Sequence, residues 1–316
     1  MSLAVCTLFE SHYHYGVAAL INSLHKNGFK GNIYAGYKGG LPKWALAAKE
    51  NPSFPWPGVK SIDTLEGIQI HFLPIESSFH LTNYKPDFML KLWDGPAKDA
   101  VAIAYFDPDI VVKCKWEFYS DWMSYGVALV HEINSNDMPV SHPLRKEWEK
   151  VINLTNRRTT HQLSSYLSGG FCGVHIRYIE FLHTWKEIFE TGIKHFKLTH
   201  DQWNHDYDRT YIFYRQDQDA FNIAAMCCES PLSEIGPEGM DFIHGGWTMS
   251  HAAGSPKPWK NHYLLSALNG KPPSLADKGY WSNVNLLIKS YHPIKVSLKQ
   301  ISILISSFIS RFYSRK

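Results

Sequence analysis

Apolar residues in this chain fall into two patterns, short continuous runs and longer stretches where they recur every three or four positions. The run LAVCTLF at 3–9 has no polar face and reads as a strand buried on both sides. After the polar-aromatic ESHYHY, the residues Val17, Leu20, Ile21 and Leu24 keep helical spacing as far as a stop at Gly28. GNIYAGY (31–37) and IQIHFLP (68–74) predict two more strands, with the turn-rich FPWPG (54–58) between them. Strand, helix, strand in that order predicts a mainly parallel α/β sheet flanked by helices.

The second half repeats the alternation. PDFMLKLWDGPA (86–97) predicts a helix with Pro86 in its first turn, and AVAIAYFDPDIVV (100–112) a strand interrupted by two acids and then resuming. YGVALVHEI and FCGVHIRY read as strands. YIEFLHTWKEIFETG (178–192) reads as an amphipathic helix closed by Gly192, and DQDAFNIAAMCC as a helix with acids in its first turn. Residues 195–215 are aromatic, rich in His and irregular, and on composition are the expected acceptor-recognition loop. Near the C-terminus a wheel at 100° per residue puts Leu298, Ile301, Leu304, Ile305, Phe308, Ile309 and Phe312 on one side. Lys299, Gln300, Ser306, Ser307, Ser310 and Arg311 fall on the other, with Ile303 as the misfit. No repeats occur, and the expected division is one domain over 1–265 and an extension over 266–316.

Composition narrows the class. With 316 residues, 44% hydrophobic and 19% charged, the chain can bury one large core. Five cysteines, with no Cys-x-x-Cys pair, argue against structural zinc or a disulfide scaffold and favour a reducing compartment. No signal sequence and no membrane-spanning run is read, so the expected location is cytoplasmic. The net charge of +3 hides an asymmetry, because residues 278–316 hold seven Lys or Arg and no acid, leaving −4 on the rest. A basic tail with one apolar side predicts a helix lying on the inner face of an anionic membrane; packing on the body of the protein is the competing reading. Nothing points to nucleic acid.

Two stretches carry chemistry. Asp107 and Asp109 flank Pro108 at the end of an apolar strand, where two neighbouring carboxylates are costly unless a cation joins them. Hard divalent cations such as Mn²⁺ or Mg²⁺ take oxygen ligands of this kind, although Asp-Pro-Asp also suits a solvated turn. Far downstream, HAAGSPKPWK (251–260) offers an imidazole, a bare backbone position and an ammonium at intervals of three, sealed by Pro258-Trp259.

An apolar strand ending in Asp-x-Asp, followed by His-x-x-Gly-x-x-Lys-Pro-Trp, resembles the glycosyltransferases of family 8, which include glycogenin and the lipopolysaccharide galactosyltransferases. The resemblance spans roughly residues 4–260 and implies a GT-A fold. It implies a nucleotide-sugar donor, with a uridine diphosphate hexose expected, and retention at the anomeric carbon on transfer to a glycan or lipid-linked acceptor. In it Asp107, Asp109 and His251 hold the metal, and Lys257 and Gly254 serve the diphosphate. Thr7 and Tyr13 belong to the nucleotide site, Tyr13 stacking on the base. Lys91 in LKLW meets the diphosphate or donor sugar, with Lys85 as a rival, and Asp217, Gln218 and Asp219 surround the transferred sugar. The chain departs from the family pattern at Glu10-Ser11, where Asn-Asp is common, and at SGGFCG (168–173), where the family reads Asn-Ala-Gly. His12, His14, His200 and His205 are further histidines that either bind or merely pack. Two other functions remain: a sugar-phosphate nucleotidyltransferase, which needs a Gly-rich basic loop where this chain has LFESHYHYG, and a catalytically idle carbohydrate-binding protein.

Overall fold

The computed structural model describes residues 2–133, 137–202, 208 and 210–312. The first half runs β1 (Ser2–Glu10), α1 (His14–Lys26), β2 (Gly31–Lys38), β3 (Lys49–Glu50), β4 (Lys60–Asp63), β5 (Ile68–Pro74), α2 (Lys85–Asp94), β6 (Ala100–Phe106) and β7 (Ile110–Val112). Then follow α3 (Trp116–Tyr125), β8 (Val127–Val130), α4 (Pro143–Leu154), β9 (Phe171–His175), α5 (Glu180–Phe196), α6 (Gln216–Cys227), β10 (Leu232–Ile235) and β11 (Met249–His251). Three helices close the chain: α7 (Tyr263–Leu268), α8 (Leu275–Ser282) and α9 (Pro293–Ile309).

Nine strands form one sheet in the order β10-β8-β9-β6-β1-β2-β5-β4-β3. Pairing is parallel from β6 through β1 and β2 to β5, and antiparallel where β9 joins β6 and where β4 joins β5. The continuous apolar runs are explained by helices on both faces. Along β1, Ala4, Cys6 and Leu8 enter the core under α2, α5 and α6, while Val5 and Phe9 enter the core under α1 and α3. Full burial of a Val, Leu or Phe of this strand contributes about 1.5–3 kcal/mol, and Thr7 is the one polar side chain buried among them.

Three expectations change. The run 100–112 is not one strand resuming: after Phe106 the chain turns, and β7 leaves the main sheet to pair antiparallel with β11. Gly192 does not end α5, which continues to Phe196 and stops at Lys197 in the left-handed region (φ 57°). A Cβ on Gly192 would lie 2.7 Å from Leu198 Cδ2, so this glycine makes room for Leu198 and Phe213 instead. The helices α3, α4, α7 and α8 were not anticipated.

The C-terminal extension is packed onto the body. Tyr263, Tyr280, Trp281 and Ile303 share a core with Ala19, Val111 and Trp259. Asn22 on α1 exchanges two hydrogen bonds with the backbone of Ile288, at 3.0 Å and 2.6 Å. Docking of α9 inverts the simple amphipathic picture. Lys299 donates to Asn261 O at 2.6 Å, Gln300 to Trp281 O at 3.0 Å, and the buried side chains are the misfit Ile303 and, from the polar side, Ser306. Leu298, Ile301, Leu304, Phe308 and Phe312 are more than half exposed. Among the described residues no helix is long and apolar enough to cross a membrane.

Candidate active site

A cavity of about 600 Å³ opens at the carboxyl ends of β1 and β6, where open α/β sheets place ligands. The turn after β6 carries Asp107-Pro108-Asp109 on its wall. It is pinned by Asp107 N to Gly170 O at 2.7 Å and by Ile110 N to Asp107 O at 3.1 Å. Close packing of α1 requires Gly16, because a Cβ there would meet Pro108 O at 2.1 Å.

The small β7–β11 sheet brings the distant motif to the acids. His251 pairs with Ile110 in its register, and Ala252 N donates to Asp109 O at 3.0 Å. The imidazole Nε2 then stands 3.2 Å from Asp109 Oδ1 and 3.9 Å from Asp107 Oδ2. One ligand atom from each of Asp107, Asp109 and His251 can be chosen so that all lie within 4.8 Å of one another. Lys257 Nζ donates to Asp109 Oδ2 at 2.5 Å and to Ala252 O at 2.8 Å.

Pro258 and Trp259 fix this loop. Pro258 O accepts from Tyr263 Oη at 3.0 Å and from Trp281 Nε1 at 3.3 Å. Trp259 Nε1 donates to His12 Nδ1 at 3.0 Å, and its ring meets Tyr13 edge-on, centroids 5.7 Å apart. Tyr13 in turn stacks on His12. Gly254 faces open cavity, since a Cβ there would meet nothing within 4 Å.

The opposite wall is organised by Lys85, the first residue of α2, which is buried. Its Nζ lies 3.1 Å from Asp217 Oδ2, 3.3 Å from Asp107 Oδ1 and 2.8 Å from Gly169 O. Tyr105 Oη also donates to Asp107 Oδ1, at 2.9 Å. Burial works against every charge here, and the partners decide the outcome. It pulls Lys85 down, but Asp107 and Asp217 raise it to about 12. It pushes Asp109 up, yet His251 and Lys257 hold that carboxyl well below the usual range. His251 and Lys257 are raised by Asp109 despite the same desolvation. Asp217 is raised, because burial and the nearby Asp107 outweigh Lys85.

The predicted residues do not all meet. Tyr13, Asp107, Asp109, Asp217, Gln218, His251, Gly254 and Lys257 line the one cavity. Lys91 does not: it is exposed on α2 and donates to Tyr84 Oη at 2.7 Å, whereas its rival Lys85 lines the cavity. Asp219 is not on the cavity wall either. Two residues along a helix are about 200° apart, so it faces inward, accepting from Tyr166 Oη at 2.7 Å and Arg215 N at 2.6 Å. Burial raises its carboxyl to about 7. Thr7 is fully buried within β1, behind the cavity lining. Of the extra histidines among the described residues, only His12 reaches the cavity; His14 accepts from Trp44 and His200 packs on Phe79. His205 lies outside the described residues.

Other groups were missed. Glu10, His80, Glu132, Arg215 and Lys260 also line the cavity. Glu132 and His80 carried no signal in the sequence, since each sits in a loop placed only by the fold. In SGGFCG, Gly170 has a defined reason: a Cβ there would lie 2.5 Å from His251 Cε1 and 3.3 Å from Asp107 Oδ2.

Two carboxylates and an imidazole form a donor set suited to Mn²⁺ or Mg²⁺. The buried His251 Nδ1 has no hydrogen-bond partner, and Gly170 keeps clear the space beside the triad, so these residues fit a divalent cation.

The fold is similar to that of a solved glycosyltransferase. The apo structure of the bifunctional glycosyltransferase WbbM superposes with a TM-score of 0.51 and 12% identity, over 95% of this chain and 52% of that one. This chain has a GT-A-like fold. It spans about half the length of WbbM. The galactosyltransferase LgtC, solved with donor and acceptor sugar analogs, aligns at a TM-score of 0.49 and 14% identity, covering 94% of this chain and 99% of that one. At the sequence level no protein-family model matches the chain, and no curated protein matches it.

Proposed function

We propose that the protein is a metal-dependent, retaining glycosyltransferase of family 8 that moves a hexose from a uridine diphosphate sugar to a glycan or lipid-linked acceptor. The observation that carries this reading is the convergence of Asp107, Asp109, His251 and the Lys85–Asp217 pair on one 600 Å³ cavity in a GT-A-like fold. Asp107, Asp109 and His251 would hold the cation, which when bound supplies Lewis-acid stabilisation of the departing diphosphate. Lys257 adds positive charge at the same end of the cavity, and Gly254 leaves room for phosphate against the backbone. Tyr13, supported from behind by His12 and Trp259, is suited to stack on the uracil.

Bond breaking builds negative charge on the diphosphate and positive character at the anomeric carbon. Groups fixed before the reaction stabilise such charge without reorganising. Lys85 orients the Asp217 carboxylate, which would hold a sugar hydroxyl, and Gln218, on the same cavity wall, would serve the anomeric carbon. The exposed apolar side of α9, with the basic residues around it, supports a location on the inner face of an anionic membrane, where a lipid-linked acceptor would lie.

The test is product analysis by NMR after incubation with Mn²⁺, a panel of uridine diphosphate hexoses and an acceptor library. A product of retained configuration is expected, with no turnover in excess chelator. An inverted product, or full activity in chelator, overturns the reading.

A further inference from the structure

A second cavity, of about 880 Å³, shares no lining residue with the first. It lies between residues 241–244, the 270–275 turn and the C-terminal end of α9. Lys271, Lys278 and Arg311 supply three cations to its wall; of its hydroxyls, Ser274 is engaged by Asp277 Oδ2 at 2.8 Å and Ser310 by Ser307 O at 3.1 Å, which leaves Ser307. Asp241, its one carboxylate among the described residues, already accepts from Lys113 at 2.7 Å and 2.9 Å. Lys271, Lys278 and Arg311 have no acidic partner among the described residues, and Ser307 Oγ is buried without a hydrogen-bond partner. Donors in excess, with the one acid neutralised elsewhere, match the acceptor oxygens of a phosphoryl group.

Location decides what bears that phosphoryl group. Ser307, in the last turn of α9, and Arg311, in the 3-10 turn 310–312 that follows it, both face the cavity. Leu304 and Phe308 on α9 and Phe312 in the turn after it are exposed nearby, the two phenyl rings 5.2 Å apart. A free phosphate has no use for this apolar border, whereas a phospholipid offers an anionic headgroup and an acyl chain together. We propose that the cavity binds the anionic phosphoryl headgroup of a membrane lipid, seating α9 in a fixed orientation on the bilayer. This rests on the reading that α9 lies on a membrane.

The experiment uses full-length protein and two vesicle types of equal negative charge in a phosphatidylcholine matrix. One is doped with phosphatidic acid and the other with oleate, which has no phosphate. Wild type is expected to prefer phosphatidic acid vesicles by about tenfold, as charge-assisted bonds to phosphate exceed diffuse attraction. Lys271→Gln with Lys278→Gln should erase the preference. Lys289→Gln with Lys295→Gln removes the same charge from positions off the cavity wall, so it should weaken both vesicles alike and keep the preference. Equal binding of both vesicles by wild type overturns the headgroup site while leaving the membrane reading intact; binding of neither overturns the membrane reading itself. Thermal stabilisation by inorganic phosphate without vesicles, lost in the Lys271/Lys278 variant, would assign the cavity to free phosphate and overturn the lipid.

Discussion

Gly170 and His251 are matched in shape: the imidazole occupies the space that a side chain at Gly170 would fill, with its Cε1 2.5 Å from an ideal Cβ. Backbone at Gly170 is itself held by Asp107 N, so the glycine cannot retreat without disturbing the acid. Gly170→Ala should therefore displace His251 and weaken Mn²⁺ binding by at least about tenfold while the protein stays folded. Gly254→Ala adds its methyl to open cavity. It should leave Mn²⁺ affinity unchanged and raise the donor KM. Mn²⁺ titration by electron paramagnetic resonance, beside donor kinetics, checks both; equal Mn²⁺ affinity in Gly170→Ala would refute the fit.

Lys85 and Lys91 should separate cleanly. Removing one partner of a buried ion pair typically costs about 3–5 kcal/mol, and Lys85 serves two carboxylates. Lys85→Met is expected to lower stability by roughly 3 kcal/mol or more and to abolish transfer. Lys91→Met, at an exposed position, should stay within about 0.5 kcal/mol of wild type and keep its activity. Urea unfolding and donor turnover measure the two, and a loss of turnover in Lys91→Met would return the donor contact to that residue.

The contrast between these lysines shows where sequence reading stops. Strands β1 and β6 were legible because both faces are buried, so their inner residues are apolar apart from Thr7. Motifs at 107–109 and 251–259 were legible because the residue types are chemically restrictive. Which of two lysines on α2 points inward depends on how the helix is rotated, which only its neighbours α5 and β6 determine. Asp219 could have been excluded from the cavity, because helical geometry alone places it opposite the face that Asp217 presents. Trp116, Tyr119, Trp122 and Met123 also carried a helical period that would have revealed α3. Glu132 and His80 had no such trace, since their loops acquire a location only when the sheet is assembled.

Acid should destabilise the fold through His71. This side chain on β5 is buried, bonded to Ser61 Oγ at 2.8 Å and Asn32 Oδ1 at 3.2 Å, and stacked near Tyr34 and Phe54. Burial lowers its pKa to about 4, only partly opposed by Asp63. Unfolding restores a value near 6.5, so between those limits the unfolded chain binds more protons. Stability from this group is full above about pH 6.5 and falls as pH drops toward about 4, by up to roughly 3 kcal/mol. His71→Gln should be less stable near neutrality but show a flatter dependence over that window. Urea unfolding at several pH values decides it, and an unchanged slope would assign the acid sensitivity elsewhere.

Opposite outcomes are expected from adjacent residues of α9. Ile303 is 6% exposed and packs into the core with Trp281 and Tyr263, whereas Leu304 is 70% exposed and Phe308 58%. Ile303→Asp buries an unpaired charge and should destabilise the protein by several kcal/mol, on the order of 3 or more. Leu304→Gln with Phe308→Gln removes apolar surface already in water, so stability should change by less than about 1 kcal/mol. The same pair of changes should reduce binding to anionic vesicles by about tenfold or more, because each large apolar side chain entering a bilayer interface contributes on the order of 1 kcal/mol. Shortening the chain near Gly279 is a poorer test, since it also removes Trp281 and the Ile288 contacts to Asn22 and would confound unfolding with release. Melting temperature and vesicle co-sedimentation, measured on the same samples, separate the two effects. If the Leu304/Phe308 variant binds vesicles as wild type does, the exposed side of α9 is not the membrane face, and a protein partner becomes the occupant to seek.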